Sequence, residues 1–91
     1  MAWQIELTPL AAKQLDKLDP QIARRIVAFL RDRLSKLKDP RSLGEALKGS
    51  SLGELWKYRV GDYRIIANIQ DNIVTIFIVR IGNRRDVYRK T

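Results

Sequence analysis

A chain of 91 residues with 45% hydrophobic content is expected to form one globular domain, residues 1–91, rather than a disordered segment. It contains no cysteine and no histidine, which excludes disulfides, thiol nucleophiles, cysteine-based zinc sites and the usual general base near neutral pH. Eighteen Lys and Arg against ten Asp and Glu give a net charge of +8, a balance that attracts polyanions, RNA above all.

The charge is unevenly placed. The first 55 residues hold ten basic and seven acidic side chains, whereas the remaining 36 hold eight and three. No run approaches the ~18 apolar residues that would span a bilayer, and the opening residues lack the basic and apolar regions of a signal peptide. The expected location is the cytoplasm. The carboxylates show no calcium-loop or other metal spacing, so neither a metal nor a cofactor is expected.

Trp3, Ile5 and Leu7 alternate with polar or small neighbours and predict a first strand. Thr8-Pro9 supplies an N-cap with proline at the first helical position, and Leu10, Ala11, Leu15 and Leu18 give a short amphipathic helix. Asp19-Pro20 repeats that signal and opens a second helix, with Ile22, Ile26, Phe29 or Leu30, and Leu37 near helical spacing. Asp39-Pro40 stops it, because a residue before proline disfavours the α region. Residues 41–53, rich in Gly and Ser, predict a loop with one helical turn around Glu45-Ala46-Leu47. Three strands follow over 55–60, 63–69 and 73–81, joined by two-residue turns at Gly61-Asp62 and Asp71-Asn72. The expected class is α+β, in the order β-α-α-β-β-β, with an antiparallel sheet packed on a helical hairpin.

Strand parity divides the basic side chains by face. A two-residue turn at Gly61-Asp62 places Val60 opposite Tyr63, Tyr58 opposite Ile65 and Trp56 opposite Ala67, which defines the core face. The other face then carries Lys57, Arg59 and Arg64 with Ile66 and Asn68. Arg59 and Arg64 would stand about 5 Å apart across the ladder, where like charges repel. Three cations on an open face with no matching carboxylate resemble half of an ion pair, the other half being a phosphate or an acidic protein segment. Beyond the last strand, Arg84 and Tyr88 share a side at helical spacing.

Together these segments resemble the RelE/ParE-type toxins of bacterial and archaeal toxin–antitoxin pairs. The matching residues are Thr8-Pro9, Leu47-Lys48-Gly49, the run from Leu55 to Ile66 (LWKYRVGDYRII), and the run from Val79 to Arg89 (VRIGNRRDVYR). The resemblance covers nearly the whole chain. It implies a β-α-α-β-β-β fold, a RelB-like antitoxin that contributes an acidic or helical segment, and contact with operator DNA only as the toxin–antitoxin complex. Its RelE-like branch implies a metal-independent mRNA interferase: a ribosome-dependent endoribonuclease that cuts mRNA in the A site by attack of the RNA's own 2′-OH. In that branch Lys57, Arg64, Arg84 and Tyr88 match catalytic positions. Arg59 matches a substrate-binding position, and Arg85 beside Arg84 is grouped with it as RNA-binding. Two positions depart from the pattern: Leu55 stands where the best-known members have a second lysine, and Asn83 where many have a basic residue or histidine. Two alternatives stay open, a ParE-like inhibitor of DNA gyrase without nuclease activity and a non-catalytic antitoxin- and operator-binding protein.

Overall fold

The computed structural model describes residues 2–47 and 55–85. Strand β1 (Gln4–Leu7) leads into helix α1 (Pro9–Asp16), whose first turn is capped by Thr8 Oγ1 accepting from the Ala11 amide at 3.2 Å. Helix α2 (Pro20–Ala28) starts the same way, with Asp19 accepting from the Gln21 amide at 2.9 Å. Both proline signals therefore mark helix starts as expected.

The second helix departs from a regular α-helix after Ala28. It widens into a π turn over Phe29–Arg33 and tightens into a 3-10 turn over Leu34–Lys36. Phe29, Leu30 and Leu34 are all buried, and a wider turn brings residues five apart onto one face, which a regular helix cannot do. Leu34 thus fills the core where the helical spacing pointed to Leu37, which is extended (φ −69°, ψ 143°) and only packs at the margin.

The segment before the sheet also differs from expectation. A 3-10 turn spans Pro40–Leu43, and Glu45–Ala46 form a short strand, β2, instead of a helical turn. Two long-range contacts place it. The Tyr58 hydroxyl donates to the Pro40 carbonyl at 2.8 Å, and Arg41 is clamped by Asp71 at 2.6 Å. Gly44 has to be glycine because a Cβ there would lie 2.8 Å from the Tyr58 ring.

Strands β3 (Leu55–Val60), β4 (Tyr63–Gln70) and β5 (Thr75–Asn83) complete a five-stranded sheet of order β1-β5-β4-β3-β2. The α+β class and the element order agree with expectation. The sheet is mixed, however, since β1 runs parallel to β5 while the other pairs are antiparallel. The β3–β4 turn is the expected one, with Val60 opposite Tyr63 and Gly61 at φ +59°, the positive value its first central position needs. The second turn is longer than the expected pair at Asp71-Asn72. Residues 71–74 form it, with a 3-10 turn at Asp71–Ile73 and Val74 in the left-handed region (φ 49°). The strand-like character of Ile73 and Val74 lost to register, because Gln70 pairs with Thr75 and Ile69 with Ile76.

The helices cover one face of the sheet, where Ala11, Ile26, Phe29, Leu30 and Leu34 meet Tyr58, Ile65, Ala67, Ile69, Ile76, Ile78 and Ile81. Among the described residues no helix is long and apolar enough to cross a membrane.

Candidate nucleic-acid interface

The site is built on the sheet face away from the helices, and the β3–β4 register sets it. Lys57 lies opposite Ile66, and Arg59 opposite Arg64, as parity requires. The Arg64 guanidinium is fastened at the hairpin turn, where Nη1 donates to the Gly61 and Tyr63 carbonyls, each at 3.1 Å. Arg59 is exposed.

One expectation needs correction. The open face does have a carboxylate, supplied by the unforeseen strand β2. Glu45 is the direct cross-strand partner of Lys57, and its Oε2 lies 3.5 Å from Nζ. The Glu45 side chain is 65% exposed against 29% for Lys57, so the pair sits at a wet edge and its attraction is modest.

Strand β5 adds a residue that sequence reasoning missed. Counting by twos from Ile76 and Ile78 would put Arg80 in the core. Instead the ladder shifts register: Ala67 pairs with Ile78, but Ile66 pairs with Arg80, so Val79 is an extra residue in a β-bulge. The bulge returns Ile81 to the core, 1% exposed, and turns Arg80 to the open face. Lys57 and Arg80 therefore flank Ile66, which is 5% exposed yet outside the core cluster. An apolar floor between two cations keeps water from part of the surroundings and strengthens their field. The signal was present in the sequence. Ile76, Ile78 and Ile81 can all face inward only if one residue between them is skipped.

A bulge leaves backbone groups outside the ladder, and helix α1 satisfies them. Strand β1 pairs with β5 only as far as Ile78. Past that point the Thr8 hydroxyl donates to the Val79 carbonyl at 3.2 Å, and the Ile81 amide donates to Gln14 Oε1 at 2.7 Å. The Thr8-Pro9 helix start is thus also the anchor that holds the bulge and, through it, Arg80.

The remaining expected residues lie at the end of β5. Gly82 pairs with Arg64 and adds no side chain there, and Asn83 pairs with Tyr63. The Arg84 amide donates to the Asp62 carbonyl at 2.9 Å, which ties this end to the turn that holds Arg64. The Arg85 amide donates to Asn83 Oδ1 at 3.0 Å, and both arginines are exposed. Leu55 pairs with Asn68 at the start of β3. Tyr88, like Lys48 and Gly49 of the loop motif, lies outside the described residues. The structure thus brings Lys57, Arg59 and Arg64 onto one face, adds Arg80 to them, and ties Arg84 to the same turn.

Tyr58 is not available for proton transfer. Burial pushes its phenol up to about 12, and its hydroxyl is engaged by the Pro40 carbonyl. Among the described residues no group of three or more acidic side chains could hold a metal ion.

Comparison with known proteins places the chain in a family. Residues 5–88 match the family model described as the ParE toxin of the type II toxin–antitoxin system parDE. Toxin RelG of Mycobacterium tuberculosis is 32% identical over 90 residues, covering 99% of this chain and all of that protein. The toxin–antitoxin complex RelBE2 from M. tuberculosis contains a chain 30% identical to this one, with a TM-score of 0.81 over 92% of this chain and 100% of that chain. The archaeal RelE–RelB complex from Pyrococcus horikoshii gives 28% identity and a TM-score of 0.74, covering 94% and 99%. Family model, relatives and fold converge: the chain belongs to the RelE/ParE superfamily and is a toxin of the type II toxin–antitoxin class.

Proposed function

We propose that this toxin is a ribosome-dependent endoribonuclease that cuts mRNA in the A site. The observation that carries the reading is the open sheet face, where Lys57 and Arg80 flank Ile66 and the Arg64 guanidinium is held at the β3–β4 turn to which Arg84 is tied. Fixed cations of this kind suit a phosphodiester whose negative charge grows during reaction. In the reaction the RNA 2′-oxygen bonds to phosphorus, the bond to the 5′-oxygen breaks, and the products are a 2′,3′-cyclic phosphate and a free 5′-hydroxyl. Lys57 and Arg64 hold the non-bridging oxygens, and Arg59 and Arg85 hold the flanking strand. Tyr88 orients the 2′-hydroxyl and accepts its proton, a role that requires its phenolate form. Arg84 offsets charge on the departing oxygen, which takes its proton from water, because a guanidinium keeps its proton and is a poor acid. All these roles fall to side chains of this protein, with no metal ion, and the ribosome supplies the RNA geometry. The setting is the cytoplasm.

The partner in this reading is a RelB-like antitoxin, since several neighbours in fold are toxin–antitoxin complexes by their descriptions. Operator DNA is bound by that complex and not by the toxin alone. Neutralising Lys57, Arg64 and Arg84 together is expected to abolish growth arrest while antitoxin binding persists. Unchanged toxicity of that variant refutes the nuclease.

A second reading has one observation in its favour, the name of the matching family model. As a gyrase inhibitor the toxin would block supercoiling in a purified gyrase assay and leave mRNA intact, and the triple variant would retain that block.

A further inference from the structure

A second basic site lies around the corner from the open face. Helix α2 and the end of β3 enclose a cleft of about 470 Å³, lined by Arg25, Arg33 and Arg59 together with Phe29, Val60 and Asp32. The three arginines approach it from different elements, and each is placed by a separate feature. Arg25 sits beneath the β3–β4 turn, where a methyl group on Gly61 would lie 3.6 Å from both of its terminal nitrogens. Arg33 stands over the Phe29 ring, 5.9 Å from its centroid. Arg59 is the cross-strand partner of Arg64 and joins the cleft to the open face.

The charges in this cleft are unbalanced. Its carboxylate, Asp32, is taken by Arg31 at 3.1 Å, which holds the Asp32 carboxyl below its ordinary range. Among the described residues none of Arg25, Arg33 and Arg59 has a carboxylate within ion-pair distance, whereas Arg31 and Arg41 are both paired. Planar guanidiniums bind phosphate oxygens in pairs of hydrogen bonds, and a cleft that gathers them around an apolar wall suits a phosphate with its ribose.

We infer that this cleft binds a phosphodiester of single-stranded RNA, next to the bond that the open face cleaves. The inference rests on the nuclease reading above and adds a binding site to it. The RNA backbone passes from Lys57 and Arg64 to Arg59 and then into the cleft between Arg25 and Arg33. RNA fits better than an acidic protein segment because the cleft continues the phosphate-binding face and has apolar Ala28 and Val60 on its wall.

The test uses the full chain and a 2′-O-methyl RNA oligonucleotide, which binds but cannot be cut. Affinity is measured as a function of salt for wild type, for R25Q/R33Q, and for K13Q/R24Q, a control with the same net charge altered outside the cleft. Each phosphate contact to single-stranded nucleic acid contributes a slope of about 0.7 in log affinity against log salt. The cleft variant should lose about 0.7 from its slope, the control far less, and R25K/R33K should keep most of it. Equal slopes for the cleft variant and the control overturn the inference. So does an unchanged RNA slope accompanied by lost binding to a polyglutamate peptide, which would assign the cleft to an acidic protein segment. Arginine-modification footprinting of the wild type decides the matter without any variant: RNA must shield Arg25 and Arg33 and leave Arg24 reactive. If the toxin cuts no mRNA in a translating extract, the nuclease reading fails while the footprint still decides the cleft.

Discussion

Replacing Gln14 with alanine tests how the fold aims its cations. The Ile81 amide lies in the bulged part of β5, beyond the last β1 pair, and Gln14 Oε1 accepts it at 2.7 Å across 67 residues of sequence. Ile81 is 1% exposed, so water has little access to the amide once the acceptor is cut away. Leaving a buried donor unsatisfied costs roughly 1–3 kcal/mol. For a domain of this size, ~2 kcal/mol corresponds to a Tm lower by about 8–16 °C. Gln14→Glu keeps an acceptor at the same reach and should stay near wild type at pH 7. Thr8→Val removes both the helix cap and the donor to Val79, and a double-mutant cycle with Gln14→Ala should show coupling, because both side chains hold one bulge. Thermal denaturation followed by circular dichroism reads the wild type and all four variants, the double variant included. A Gln14→Ala protein within 2 °C of wild type (roughly 0.5 kcal/mol or less by the same scaling) refutes the account of the bulge. A Gln14→Glu protein that falls as far as Gln14→Ala refutes it too.

Three further outcomes follow from the same geometry. Tyr58→Phe removes the hydrogen bond to Pro40 and should cost about 1 kcal/mol at pH 7. The folded Tyr58 phenol is raised to about 12 from about 10, so its contribution is complete below pH 10 and fades as pH climbs toward 12. Wild type should therefore lose more stability over that interval than Tyr58→Phe, and parallel alkaline melts would contradict the burial. Arg41 lowers the pKa of the Asp71 carboxyl chiefly by hydrogen bonding, so their pair stabilises above the ordinary carboxylate range and is lost as pH falls through the lowered value. Asp71→Asn should flatten the Tm profile on the acid side, as pH falls through and below the ordinary carboxylate range; an unaltered profile would show the clamp to be inert. Val74 is β-branched in the left-handed region, which costs roughly 1–2 kcal/mol, and Val74→Asn should raise Tm by several degrees. A lower Tm would mean that the Val74 side chain contributes more than its backbone costs.

What could be read from the sequence was whatever short-range rules decide. Thr8-Pro9 and Asp19-Pro20 mark helix starts by local capping chemistry. Gly61-Asp62 sets a hairpin register, and that register alone brings Lys57, Arg59 and Arg64 together. What escaped depends on contacts between distant residues. Glu45 is in a strand because Tyr58 and Arg41 hold the preceding turn, and no local preference announces that. Arg80 reaches the open face because Thr8 and Gln14 stabilise a bulge from across the fold. The cleft with Arg25 and Arg33 depends on the packing of α2 beside the end of β3, which periodicity within either element does not reveal.

The central claim is that the open face performs RNA cleavage. Primer extension on a translated mRNA, after brief induction of the wild type and of Arg64→Ala in parallel, tests it most directly. The account predicts new 5′ ends inside translated codons for the wild type, with 2′,3′-cyclic phosphate on the upstream fragments, and loss of both for Arg64→Ala. Intact mRNA during growth arrest by the wild type, or equal cleavage by the Arg64 variant, would contradict it.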